Sequence, residues 1–97
     1  SRKTADDILA ALHTWAEAVR VRERDRAISR LGKVDERETA LIDDLTRVLT
    51  KKILTDATFA VRARAEAGDL EAAEALVKAI TQGEGLFFHQ IVPPKNR

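Results

Sequence analysis

The chain has no cysteine and no methionine, and only four glycines and two prolines. Without cysteine there is no disulfide framework, no thiolate metal site and no thiol nucleophile. Aromatic residues make up 4%, so the core must be thin, built from Leu, Ile and Val with Ala at close contacts. A charge of one sign is missing as well. Lys plus Arg number 17 against 16 Asp plus Glu, leaving +1, and that balance gives no argument for a nucleic acid or an anionic membrane. No apolar run approaches the roughly 20 residues that span a bilayer, and no signal peptide is expected, so a cytoplasmic location without a membrane partner is the default expectation. The lack of methionine, with Ser1 as first residue, leads to the expectation that the chain is a piece of something longer.

What is present is helical pattern, and more of it than a compact fold of 97 residues needs. Thr4 is placed to cap a first helix, with Asp6 and Asp7 in its opening turn. Ile8, Leu12, Trp15 and Val19 then recur on one helical face. Arg20 to Arg26 is almost wholly charged, spacing resumes at Ile28 and Leu31, and Gly32 supplies a left-handed terminator. This reads as a connecting helix over 4–31, buried at both ends and wet in the middle.

A second helix over 35–67 opens with Asp35 and Glu38 in capping-box spacing. Leu41, Ile42, Leu45, Val48 and Leu49 form a wide stripe, continued by Ile53. Without Gly or Pro before Gly68, the run predicts a rod of about 50 Å. A globule of this size has a radius of gyration near ~13 Å, so the rod projects from a monomer and its stripe needs a partner. The six residues of the stripe are the candidate dimer interface. Asp69 caps a third helix over 69–82, with Leu70, Ala73, Leu76, Val77 and Ile80 on one side, and Gly83 and Gly85 are read as its end. Residues 86–97, closed by two prolines, are read as a tail outside the helical domain of 1–85, disordered, extended or an expression remnant. The fold class is all-α: three helices, two of them long, in an extended antiparallel bundle completed by homodimerisation.

Residues for chemistry are few. His13 and His89 are far apart, with no ligand set around either, and zinc needs at least three convergent ligands. Asp6-Asp7 and Asp35-Glu36 read as helix-start acids and Asp43-Asp44 as a solvated face, so no two carboxylates are arranged for general acid–base work. Gly83-Glu84-Gly85 follows a helix and is no phosphate loop. No catalytic, cofactor-binding or metal-binding residue is expected. Arg22, Arg26 and Arg30 recur every four residues along one edge, where like charges repel unless something negative lies across them. The candidates for that role are a phosphate backbone and partner-chain acids, set against a plain solvated face with Glu17, Glu23 and Asp25 as neighbours at three-residue spacing.

Leu45-Thr46-Arg47, Lys52-Ile53-Leu54 and Gly68-Asp69-Leu70-Glu71-Ala72, preceded by Arg22-Glu23-Arg24-Asp25-Arg26-Ala27-Ile28-Ser29-Arg30-Leu31, together resemble the C-terminal dimerisation domain of glutamyl-tRNA reductase. The resemblance covers roughly Ala5 to Thr81. Bacterial members tend to carry Asn before that Lys and His-x-Pro soon after the Leu. Lys51 and Thr55-Asp56-Ala57 stand there instead, the look of an archaeal member. The resemblance implies a parent enzyme that reduces glutamyl-tRNA to glutamate-1-semialdehyde with NADPH in tetrapyrrole (porphyrin) biosynthesis. Its cysteine nucleophile and NADPH-binding domain lie elsewhere, and this region supplies pairing into a homodimer, with residues 4–31 as the end of a spinal helix. Two other readings stay open from the residues alone. Ala63, Gly68-Asp69 and Ala72-Ala73 also look like the turn of a tetratricopeptide-type helical-hairpin adaptor, although no second copy is found. The arginine edge alone would allow an RNA-binding helical module.

Overall fold

A computed structural model describes the backbone of residues 3–91 and the side chains of residues 3–82. The described residues form α1 (Ala5–Leu31), α2 (Glu36–Glu66) and α3 (Leu70–Ile91). Both long helices start as the sequence pattern requires. The Thr4 hydroxyl accepts from the Asp7 N–H at 3.2 Å and the Asp7 carboxylate accepts from the Thr4 N–H at 3.0 Å. Asp35 and Glu38 close the same reciprocal box, at 2.8 and 3.0 Å. Each box satisfies two backbone donors that would otherwise lack an intrahelical partner. Gly32 ends α1 at φ 81°, its N–H donating back to the Ile28 and Ser29 carbonyls. Gly68 takes φ 86° in the turn after α2, and the Asp69 carboxylate then accepts from the Ala72 N–H at 2.9 Å.

The end of α3 differs from the sequence expectation. The helix continues through Gly83 and Gly85 to Ile91, so residues 86–91 are helical backbone and not an extended tail. A glycine inside a helix costs only about 1 kcal/mol against alanine, and two of them do not force a stop. Residues 92–97 and the side chain of His89 lie outside the described residues.

α1 and α2 run antiparallel: His13 lies 3.3 Å from Thr58, while Arg20 and Arg24 reach Asp43. α3 folds back beside the start of α1, where Lys3 is hydrogen-bonded to Glu74. The core is confined to this end. Ile8, Leu9, Leu12 and Ala16 of α1 meet Leu54 and Val61 of α2 and Ala73 and Val77 of α3, with Trp15, Ala57, Ala65, Leu76 and Ile80 packed around them. Of the first-helix stripe, Ile8 and Leu12 are buried and Trp15 and Val19 half-buried, whereas Leu31 is 61% exposed. The helix is therefore not buried at both ends, because α3 covers only its beginning. The molecule measures 50 × 40 × 24 Å with a radius of gyration of 16.6 Å, well above the roughly 13 Å of a compact chain of this length.

Candidate self-association surface

Beyond the core, α1 and α2 continue side by side as a two-helix arm, and what joins them there is ionic. Arg20 is the buried residue of this arm, 4% exposed, in the stretch expected to be wet. Its guanidinium grips Glu17 through two bonds, Nε to Oε1 at 2.9 Å and Nη2 to Oε2 at 2.6 Å. Its other nitrogen, Nη1, donates across the helices to Asp43 Oδ1 and to Thr46 Oγ1, both at 3.1 Å. Arg24 Nη1 donates to the same Asp43 oxygen at 2.7 Å, and Arg47 Nε to Asp43 Oδ2 at 2.7 Å. Asp43 is thus not part of a solvated face. It joins three arginines, two of them from the facing helix. The i,i+4 spacing of Asp43 and Arg47 and the i,i+3 spacing of Glu17 and Arg20 were visible in the sequence, but the cross-helix register that brings Arg20 and Arg24 onto Asp43 was not.

Hydrogen bonds from Arg47 first, then Arg24 and Arg20, hold the Asp43 carboxyl far below the usual carboxylate range. The Arg20 bond similarly lowers Glu17, and Glu17 in turn raises Arg20. A carboxylate held ionised by three guanidiniums has no proton to give and is too weak a base to take one, so the cluster is unsuited to acid–base catalysis. Its effect is geometric: the fork on Glu17 holds the Arg20 guanidinium in place, and the single charge-assisted bonds from Arg20 and Arg24 to Asp43 fix how α1 crosses α2. Every buried side-chain polar atom among the described residues has a partner, so the cluster satisfies itself and presents no open site. Among those residues there is also no group of three or more His, Asp or Glu able to hold a metal ion.

The predicted stripe on α2 faces outward. Leu41, Leu45, Val48, Leu49 and Ile53 are 68, 54, 41, 49 and 72% exposed, and Ile42 is half-buried. Phe59, which the sequence reading left out of the interface, is also exposed. It stands 18 residues from Leu41, about five turns along the same side of α2. Leu41, Leu45, Val48 and Phe59 stand on the side of α2 turned away from its buried residues Leu54 and Val61, whereas Leu49 and Ile53 stand on its flank, beside Trp15 and Val19 of α1.

Arg22, Arg26 and Arg30 are all exposed. Glu23 partners two of them, at 3.5 Å from Arg22 and 3.8 Å from Arg26, while Asp25 pairs with Arg24 and not with Arg22. The edge is thus partly neutralised within its own helix. His13 is exposed, its ring beside Thr58.

Comparison with known proteins places this architecture. The family model described as "Glutamyl-tRNAGlu reductase, dimerisation domain" matches residues 1–82. A glutamyl-tRNA reductase of Methanoregula boonei is 73% identical over 82 residues, covering 84% of this chain and 19% of that protein. Those of Methanospirillum hungatei JF-1 and Methanoculleus marisnigri are 57% and 58% identical over 86 residues, each comparison covering 89% of this chain and 20% of the relative. The chain spans about a fifth of the length of these relatives. No solved structure matches it. The three helices, with their uncovered apolar stripe, belong to the dimerisation-domain family of glutamyl-tRNA reductase.

Proposed function

We propose that this chain is the pairing module of a glutamyl-tRNA reductase, and that it joins two subunits through the α2 stripe of Leu41, Ile42, Leu45, Val48, Leu49 and Ile53. The observation that carries the reading is the exposure of this stripe in a chain whose family model describes a dimerisation domain. Each fully uncovered Leu or Val forgoes roughly 1.5–3 kcal/mol of burial, which is large against the stability of a small domain. Two-fold pairing hides the same patch on both copies at once. The parent enzyme, on this reading, reduces glutamyl-tRNA with NADPH in tetrapyrrole synthesis in the cytoplasm. NADPH and the reacting glutamyl group are handled by regions beyond this chain. No helix among the described residues is long and apolar enough to cross a membrane. Arg22, Arg26 and Arg30 are candidates for contact with tRNA or with the partner subunit.

Sedimentation of the chain over a range of concentrations tests the reading. A dimer persisting to low micromolar concentration is expected. Leu45→Asp should raise the dissociation constant by about 100-fold, since an unpaired charge in an apolar seam costs several kcal/mol, and helix content should fall with it. A stable, fully helical monomer at tens of micromolar would overturn the assignment.

A further inference from the structure

On one side of the two-helix arm a groove runs between α1 and α2. Trp15 and Val19 wall it from α1, and Leu49, Ile53 and Leu54 from α2, enclosing about 260 Å³. Among the described residues, all those that line it belong to α1 and α2. Its position relative to the stripe follows from helix geometry. At about 100° per residue, Leu41, Leu45 and Val48 share one side of α2, and Leu49 and Ile53 stand roughly 80–120° further round. The apolar surface therefore turns a corner. It begins on the outward side of α2, passes over Leu49 and Ile53, and enters the groove to reach Trp15 and Val19. A simple two-helix seam needs only a narrow stripe. This band is wider than one helix laid along α2 can cover.

We propose that α1 is part of the pairing surface: α2 of a second copy seats in the groove between α1 and α2, against Trp15 and Val19. Pairing then encloses a four-helix core made of α1 and α2 from both copies, which lies beyond the three-helix core of each. The proposal rests on the reading of the α2 stripe as the pairing surface, and continuity between stripe and groove through Leu49 and Ile53 selects the second copy as occupant. Two-fold symmetry makes each copy both insert and groove. Arg20 also lines the groove, so a helix seated there packs against the residue that joins α1 to Asp43 of α2, which ties the crossing of the two helices to pairing.

Trp15 is the sole tryptophan, so its fluorescence reports on the groove without a label. The 97-residue chain is diluted through its dimer–monomer transition, followed in parallel by sedimentation and by acrylamide quenching of Trp15. The quenching constant is expected to be several-fold lower in the dimer than in the monomer reached by dilution, with both transitions at the same concentration. A dimer whose Trp15 is as readily quenched as the monomer's overturns the groove while leaving the α2 seam standing, which would point to another occupant. Absence of a dimer at tens of micromolar removes both. As a second arm, Val19→Asp, with helix content checked by circular dichroism, should raise the dimer dissociation constant at least about tenfold. An unchanged constant in a folded Val19→Asp chain likewise overturns the proposal, and if that variant does not fold, the quenching measurement decides.

Discussion

At the end where α3 packs, eight apolar side chains from three helices close on one another, and Leu12 and Val61 are wholly out of water. At the other end, Arg20–Leu31 lie against Glu36–Ile53, and Arg20 is the buried residue among the described ones there. The first end is held by burial, which is non-directional and scales with the apolar area removed from water. The second is held by charge-assisted bonds from three arginines converging on Asp43, which are directional but gain little net free energy once the cost of desolvating the charges is counted. The difference teaches a division of labour. The three-helix end supplies stability, and the two-helix end supplies a fixed crossing angle and an apolar surface not yet used. Among the described residues no third helix covers the arm, and on the reading proposed above a second copy provides that cover.

The largest effect should come from the burial end. Leu12→Ala removes a wholly buried side chain and should destabilise the chain by about 2–5 kcal/mol in equilibrium denaturation. A loss under about 1 kcal/mol would break the comparison, because stability would then not reside in the three-helix core.

A smaller effect, and one of different kind, is expected at the ionic end. Asp43→Asn should lower the thermal midpoint at neutral pH by less than Leu12→Ala does, and should change the pH dependence. The Asp43 carboxyl is held below its ordinary value of 3.8 in the folded chain. Its contribution is therefore fully present above about pH 5, and is lost as the pH falls through 3.8 towards the lower folded value. The parent chain should lose stability steeply on that acid limb, and Asp43→Asn should flatten it. Some slope will remain from Glu17 and Glu74, which Arg20 and Lys3 hold low in the same sense. Superimposable acid limbs for parent and variant would show that the arginines do not hold Asp43 ionised.

The smallest effect is expected on the exposed edge. Replacing Arg22, Arg26 and Arg30 together by Gln should leave the midpoint unchanged. It should also leave the salt dependence of tRNA binding by the full-length protein nearly unchanged. A fall in that slope of about one unit per lost phosphate contact would instead move this edge into the RNA interface.

Local signals in the sequence were enough for the helices and their starts. Thr4 with Asp7, Asp35 with Glu38, Gly32 and Gly68 each act within a few residues of themselves, so their effect does not depend on what packs nearby. The outward stripe from Leu41 to Ile53 was also legible, because α2 is longer than any cover that so short a chain can offer it. The course of α3 beyond Gly83 was not, since a glycine weakens a helix without ending it. Nor was the pairing of Arg20 and Arg24 with Asp43, which lie 23 and 19 residues from it along the chain. Read locally, Asp43-Asp44 is a wet face and Arg20–Arg26 a charged run. Which charges are buried depends on the register in which α1 and α2 meet, and that register is set by Leu12, Leu54, Val61 and Val77 closing at the other end. Sequence alone determined the elements, their caps and the excess of apolar surface. The tertiary structure decided which arginines that packing draws out of water and onto one carboxylate.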